Sequence, residues 1–156
     1  MKITINNLQD TKKVGKIISE NLLSGTVLCL DGDLGAGKTT LTQFIANEFG
    51  IKEYITSPTF NIIKEYQGKF PFYHMDVYRI ESEDDMYDLG YDDYIYSDGI
   101  CIIEWSDKIK NILPEERINI YIQRGEDENT RIFSVTGKGI VFDKIVEELK
   151  NENTCN

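Results

Sequence analysis

The sequence predicts an α/β fold, in which one sheet has a parallel centre, antiparallel additions at its sides and helices on both faces. Strand and helix patterns alternate early in the chain, which is typical of parallel sheets. Two hairpin patterns, one in the middle and one near the C-terminus, predict the antiparallel additions. We therefore expect one domain over residues 1–150, followed by a polar tail at residues 151–156.

The overall composition favours a globular protein and limits its partners. Apolar residues make up 40% of the 156 residues and charged residues 28%. The 17 basic and 27 acidic side chains give a net charge of −10. Because so acidic a surface repels phosphate backbones, we expect no tight unaided binding to DNA or RNA.

The sequence also bears on the compartment. No apolar run approaches the roughly 20 residues that cross a bilayer, so we expect no membrane contact. The first residues lack the long apolar stretch of a secretory signal. The cysteines, Cys29, Cys101 and Cys155, are far apart and form no CxxC pair. These features predict a protein of the reducing cytoplasm.

The first part of the chain contains the alternating elements. We predict a strand at residues 2–5, a helix at 11–23, a strand at 26–30 and a helix at 38–49. Asp10 is the expected N-cap of the first helix, and Gly50 is the natural stop of the second. The second strand is a continuous apolar run, which suits a strand that is buried in a parallel sheet.

The remainder of the chain adds the hairpins and a second buried strand. We predict strands at residues 60–66 and 70–77, one or two short helices from a capped start at 82–85 to Tyr96, strands at 100–104, 117–123 and 131–136, and a helix at 141–150. The strand at 100–104 is apolar until it ends in a carboxylate.

A phosphate-binding loop is the clearest motif in the sequence. Residues 32–39 match G-x-x-x-x-G-K-S/T in full, between a predicted buried strand and a predicted helix. The backbone N–H groups around Gly35, Ala36 and Gly37 can converge on an anion, assisted by the helix N-terminus. The alternative is a flexible strand-to-helix turn without a ligand. The motif in its context favours a P-loop NTPase-like sheet that binds a nucleotide.

The end of this motif predicts contacts to the phosphates and to a metal ion. Lys38 would bring a full charge to the outer phosphates, and the Thr39 hydroxyl can ligate Mg²⁺ between two phosphates. Thr40 is a further candidate phosphate contact through its N–H and hydroxyl groups. The sequence therefore predicts a nucleoside triphosphate and Mg²⁺ as ligands.

Two carboxylates at strand ends are candidates for the metal and the attacking water. Glu104 ends the more apolar strand, and we expect it to be a magnesium ligand, direct or through water. Asp76 ends the preceding strand and would hold a magnesium-bound water or orient the attacking one. For either residue the alternative is a solvated strand end.

Other polar and aromatic residues near these motifs have more than one interpretation each. Ser57 or Thr59 could donate to the γ-phosphate or its metal ion, or belong to an ordinary turn. His74, the single histidine, is predicted to be packed rather than catalytic. Trp105 could cover the nucleotide, face a partner or, as the simplest expectation, be buried in the core.

Four segments together resemble the TsaE (YjeE) family of small bacterial P-loop ATPases. They are residues 32–40, residues 57–60 (Ser-Pro-Thr-Phe), residues 74–79 (His-x-Asp-x-Tyr-Arg) and residues 103–105 (Ile-Glu-Trp). The resemblance covers nearly the whole chain in order. One departure is Ser106, which stands where many relatives have proline.

The resemblance implies a role in making threonylcarbamoyladenosine, a modified base beside the anticodon of certain tRNAs. It implies that the chain binds a complex of two paralogous proteins, TsaB and TsaD, of which TsaD carries the transfer chemistry. ATP hydrolysis would depend on that complex and reset it between turnovers. The expected cofactors are thus ATP and Mg²⁺, with weak turnover of the chain alone and only indirect contact with tRNA.

The resemblance also implies roles for single residues. Thr39, Glu104 and Asp76 would be the metal-linked residues, and Asp76, Lys38 and Thr59 the catalytic ones, with residues 57–59 acting as a switch. The segment from Leu8 to Thr11 aligns with a stretch that lines the adenine pocket. Arg79 is the arginine nearest to these motifs in sequence, and its role is open.

Two other classes of function remain as alternatives. A small-molecule P-loop kinase would fit the size and the loop, although the arginine-rich lid of such kinases has no counterpart in the sequence. A nucleotide-gated binding module, such as a GTPase switch, would not need catalysis. The sequence has no Asn-Lys-x-Asp segment for guanine, which favours ATP.

Overall fold

A mixed sheet forms the centre of the computed structural model, which describes residues 1–58 and 61–154. Within these residues the strands are β1 (Lys2–Ile5), β2 (Val27–Gly32), β3 (Ile63–Gln67), β4 (Pro71–Asp76), β5 (Ile100–Glu104), β6 (Ile118–Arg124) and β7 (Arg131–Gly137). Their order across the sheet is β1-β7-β6-β2-β5-β4-β3. Strands β6, β2, β5 and β4 are parallel neighbours, whereas β1, β7 and β3 pair antiparallel. The predicted fold class is confirmed.

The helices cover both faces of this sheet. They are α1 (Leu8–Asn21), α2 (Lys38–Glu48), α3 (Asp84–Asp88), α4 (Tyr91–Ile95) and α5 (Ile140–Thr154), with a 3₁₀ segment at Ser106–Ile112. Side chains of α1, α2 and α5 pack with Leu28 and Leu30 on one face, while α3, α4 and the 3₁₀ segment pack with Val27 and Cys29 on the other. This alternation follows from the two-residue period of a strand, and it explains why β2 is apolar on both sides.

Two helix boundaries differ from the prediction by three residues or more. Asp10 is not the N-cap of α1: the helix starts three residues earlier than expected, and Asn7 Oδ1 accepts from Asp10 N–H at 2.9 Å. Asp10 Oδ2 accepts in turn from Asn6 N–H at 3.0 Å, so the side chains of Asn7 and Asp10 each satisfy one backbone donor at the start of the helix. Helix α5 continues past Lys150 to Thr154, into the stretch predicted as a polar tail.

The sheet order brings the ends of three strands to one edge. β5 lies directly beside β2, and β4 lies beside β5, with Asp76 in register with Glu104. The carboxyl ends of parallel strands are where α/β folds bind ligands. Among the residues that the structure describes, none of the helices combines the length and apolar character needed to cross a membrane.

Candidate functional site

The phosphate loop joins β2 to α2 in a conformation that depends on glycine. Gly37 has a φ of 118° and directly precedes the first residue of α2. A Cβ at Gly32 would lie 2.4 Å from the carbonyl oxygen of Ile122 on β6, so only glycine permits this approach. The loop therefore begins in close contact with β6, the neighbour of β2. It then leads into the N-terminus of α2, where N–H groups that have no partner within the helix can bind anions.

Lys38 lies at the inner end of this loop. Its side chain is buried, and Nζ donates to the carbonyl oxygens of Gly32 at 2.7 Å and Asp33 at 2.9 Å. Nζ also lies 4.0 Å from the centre of the Trp105 ring. Burial lowers the pKa of Lys38, and the nearby carboxylates of Glu104 and Asp76 oppose that shift. The ammonium group is thus held by main-chain oxygens of the phosphate loop itself.

Trp105 lies between the core and the solvent instead of being fully buried. It adopts a left-handed backbone conformation with a φ of 63° at the end of β5. Its ring contacts Lys38 on one side and lies 4.8 Å from the centre of the Tyr78 ring. The simplest expectation, burial in the core, is met only in part: Trp105 packs against the core but is partly exposed, because the chain turns sharply after Glu104 and brings the ring over the lysine.

Thr39 and Glu104 form a direct contact. The Thr39 hydroxyl donates to Glu104 Oε1 at 3.0 Å and approaches Oε2 at 3.2 Å. Glu104 is only 2% exposed, although it is a carboxylate at a strand end. The alternative of a solvated strand end is excluded for this residue. His74 is fully buried, as predicted, and its Nε2 contacts Glu104 Oε2.

Asp76 lies beside Glu104 and is held by two donors. Ser57 Oγ donates to Asp76 Oδ2, and Tyr78 N–H donates to Oδ1 at 3.0 Å. The segment that carries Ser57 is fastened to α2, because Ile55 N–H donates to Gln43 Oε1 at 2.6 Å. Thr59, the other predicted residue of this segment, lies outside the described residues.

The donors in this cluster suit a magnesium ion that arrives with phosphates. The Thr39 hydroxyl and the carboxylates of Glu104 and Asp76 line one cavity of about 230 Å³, together with Lys38 and Ser57. Oxygen atoms of this kind are the ligands that Mg²⁺ prefers. Within the described ranges, no group of three or more His, Cys, Asp or Glu side chains is placed to hold a metal on its own. Mg²⁺ commonly binds through one or two carboxylates and the phosphates of a nucleotide, and Glu104 and Asp76 are two such carboxylates.

A larger cleft of about 680 Å³ adjoins the same loop. It shares Gly35, Gly37 and Thr40 with the smaller cavity and extends past Ala36 to the start of α1. Leu8, which is 65% exposed, and Thr11 belong to its lining. The structure thus places the segment that sequence resemblance assigned to an adenine pocket beside the phosphate loop.

Two arginines that the sequence did not single out hold the phosphate loop from outside. Arg131 Nε donates to Ala36 O at 3.1 Å, and its Nη1 donates to Glu128 O at 2.7 Å and to Thr130 O at 2.9 Å. Arg124 Nη2 donates to Leu34 O at 3.1 Å. The only available signal was their position at the turn end of the predicted β6–β7 hairpin. Arg79, by contrast, is exposed on the segment after β4.

Known proteins are similar to this chain over most of its length. A family model described as Threonylcarbamoyl adenosine biosynthesis protein TsaE matches residues 5–133. The tRNA threonylcarbamoyladenosine biosynthesis protein TsaE of Bacillus subtilis is 44% identical over 153 residues, which cover 96% of this chain and 94% of that protein. The protein of the same name from Treponema pallidum is 39% identical over 132 residues, covering 85% of this chain and 98% of that protein.

A solved structure is similar over nearly the full length of the chain. The crystal structure of Bacillus subtilis YdiB superposes with a TM-score of 0.80 at 40% sequence identity. The similarity covers 98% of this chain and 95% of that one.

Proposed function

Because the chain belongs to the TsaE family of threonylcarbamoyl adenosine biosynthesis proteins, we propose that it is a magnesium-dependent ATPase that serves this modification of tRNA. The observation that carries the proposal is a convergence of side chains. Lys38, Thr39, Glu104 and Asp76 come from three separate elements and line one cavity beside the phosphate loop. Hydrolysis of a phosphoanhydride needs such a set: a cationic group, metal-linked oxygens and a group that orients water.

The nucleotide would lie along the phosphate loop with its two ends in the two adjoining cavities. N–H groups around Gly35, Ala36 and Gly37 would bind the inner phosphates, with Thr40 beside them. The larger cleft next to Leu8 has the size and the mixed apolar and polar lining that a nucleoside needs. The smaller cavity would take the outer phosphate.

The side chains in the smaller cavity would then act on the outer phosphate and on water. Lys38 would exchange its bonds to Gly32 and Asp33 carbonyls for phosphate oxygens. Thr39, Glu104 and Asp76 are the residues that would hold Mg²⁺, which would neutralise charge on the phosphates. Asp76 would also orient the attacking water. Ser57, which now donates to Asp76, and Thr59 would make the segment around Pro58 sensitive to that phosphate.

We further propose that turnover depends on a TsaB–TsaD-like complex, which hydrolysis would reset. P-loop ATPases and GTPases often need an arginine that stabilises the transition state. Arg124 and Arg131, which contact the loop, donate to its carbonyl groups, and neither lines the smaller cavity, where the outer phosphate would lie. The net charge of −10 supports indirect contact with tRNA, through those partners. The free thiols of Cys29 and Cys101 support the cytoplasm as the compartment.

The test is ATP turnover of the chain alone and with a purified TsaB–TsaD pair. We expect slow phosphate release alone, a clear increase with the pair, and no increase with Lys38→Ala. Lys64→Ala is the control, because Lys64 is an exposed lysine on β3, outside both cavities. Fast turnover that the pair leaves unchanged would show that the partner dependence is wrong.

A further inference from the structure

The buried histidine of β4 is in contact with the carboxylate that we assign to the metal. His74 is fully buried, and its Nε2 contacts Oε2 of Glu104, which is itself 2% exposed. The other ring nitrogen, Nδ1, is buried and has no hydrogen-bond partner among the described residues. A single polar contact therefore accounts for the hydrogen bonding of this ring.

The sheet geometry explains why His74 meets Glu104. His74 pairs with Ile102 on β5, and Asp76 pairs with Glu104, so both β4 side chains project from the face that α2 covers. Glu104 lies diagonally across from His74, within reach of a long side chain. From the other side, Thr39 at the start of α2 donates to the same carboxylate.

A carboxylate this deeply buried needs donors from the protein. At 2% exposure it gains little solvation from bulk water, and an unsatisfied buried acceptor destabilises the fold. Since Nδ1 has no hydrogen-bond partner in the described part of the chain, a neutral ring is best satisfied with its proton on Nε2, where the N–H donates to Glu104. The Thr39 hydroxyl and the His74 N–H then bracket the carboxylate and determine its orientation.

We propose that His74 is a positioning residue: its Nε2–H fixes the Glu104 carboxylate so that it faces Thr39 and the smaller cavity. The inference rests on the proposed function, because it concerns the same metal-linked acid. Groups that hold a metal-ligating residue in place matter for metal affinity, and their loss typically weakens it by about 10- to 100-fold. His74 would therefore affect the magnesium requirement without touching the nucleotide.

The mutational test replaces His74 by each of two amide side chains, which place an N–H donor at different positions. In His74→Gln the side-chain nitrogen reaches close to the position of Nε2, whereas in His74→Asn it lies near Nδ1. ADP binding is measured by calorimetry in EDTA and over a series of Mg²⁺ concentrations. We expect His74→Asn to raise the Mg²⁺ concentration for half-maximal effect by about 10- to 100-fold. His74→Gln should lie closer to the wild-type protein, and binding in EDTA should be equal for all three.

The outcomes separate the inference from the proposed function. If the wild-type chain bound no ADP in either condition, the proposed function would fail first. If ADP binding were normal but His74→Asn kept the wild-type Mg²⁺ requirement, the positioning role would be refuted. Equal losses in EDTA and in Mg²⁺ would show a merely structural role, and thermal unfolding of each variant measures that directly.

A spectroscopic measurement tests the same inference on the wild-type protein, so its result does not depend on whether a variant folds. His74 is the single histidine of the chain, so its ¹⁵N ring signals are assigned without ambiguity. We expect the tautomer protonated at Nε2 in the wild-type protein, and a clear shift of the Nε2 signal when Mg²⁺ is added with ADP but not with ADP alone. A proton on Nδ1, or a ring signal that Mg²⁺ does not move, would overturn the inference.

Discussion

At the scale of single residues, the site is a set of polar side chains that satisfy one another. Lys38 is held by main-chain carbonyls, Glu104 by Thr39 and His74, and Asp76 by Ser57 and a backbone N–H. Each of these groups would be costly to bury alone. A nucleotide with its metal ion would therefore replace hydrogen bonds within the protein by bonds of a similar kind to phosphate oxygens and to the metal ion.

Replacing Lys38 by alanine removes the cationic contact to the phosphates. We expect Lys38→Ala to weaken ADP binding by about 1.5–3 kcal/mol, the range for hydrogen bonds to charged groups. Calorimetry with the exposed control Lys64→Ala measures the difference. An affinity equal to that of the control would mean that Lys38 does not contact the nucleotide.

Replacing Asp76 by alanine should separate hydrolysis from binding. We expect Asp76→Ala to bind ADP within a few-fold of the wild-type protein, since the loop amides and Lys38 remain. Phosphate release with the TsaB–TsaD pair should fall by about 10²- to 10⁴-fold, the range for a group that assists proton transfer. Normal turnover of this variant in the full complex would refute the role of Asp76.

At the scale of elements, the structure shows how a hairpin supports the phosphate loop. The β6–β7 turn approaches the loop because β6 is the parallel neighbour of β2, and Arg131 joins the two by donating to Ala36 O and Glu128 O. The turn contributes Glu128 and Asn129 to the larger cleft. The loop therefore has a support that its own sequence motif does not contain.

Removing this link should loosen the larger cleft more than the phosphate end. We expect Arg131→Met to weaken ADP binding by about tenfold, which corresponds to about 1.4 kcal/mol, with a smaller loss for inorganic triphosphate. Arg124→Met is the matched comparison, because Arg124 also donates to a loop carbonyl, Leu34 O, but does not line the larger cleft. An equal loss for both ligands would show that Arg131 acts on the loop alone.

At the scale of the whole molecule, the two faces of the sheet bury different kinds of groups. The face covered by α1, α2 and α5 carries the site, while the opposite face buries Cys29 and Cys101. Burial raises the pKa of each thiol from its ordinary value of 9.0 to about 12. The folded protein therefore keeps both thiols neutral at a pH where the unfolded chain ionises them.

This difference predicts a loss of stability in alkaline solution. As pH rises above about 9, the unfolded chain binds fewer protons than the folded one, so the free energy of unfolding falls by up to about 1.4 kcal/mol per pH unit for each thiol. Urea unfolding across this range measures the slope. The double variant Cys29→Ala, Cys101→Ala should flatten the slope. An unchanged slope in the double variant would exclude the thiols as its cause.

Sequence patterns predicted local features well and long-range ones poorly. The strands and the two short helices after β4 were found because apolar periodicity and turn residues are local signals. The Asn7 cap was missed because Asn7 and Asp10 are both good caps and only the backbone distinguishes them. The 3₁₀ segment after Trp105 was missed because its seven-residue stretch has no clear period.

By itself, the sequence determined the phosphate loop, the fold class and the two strands that end in Glu104 and Asp76, because each is encoded in consecutive residues. The tertiary structure decided which strands are neighbours. It placed β5 between β2 and β4, put His74 against Glu104 and brought Arg131 to the loop. Strand order depends on how distant side chains pack across the sheet, and no local pattern carries that information.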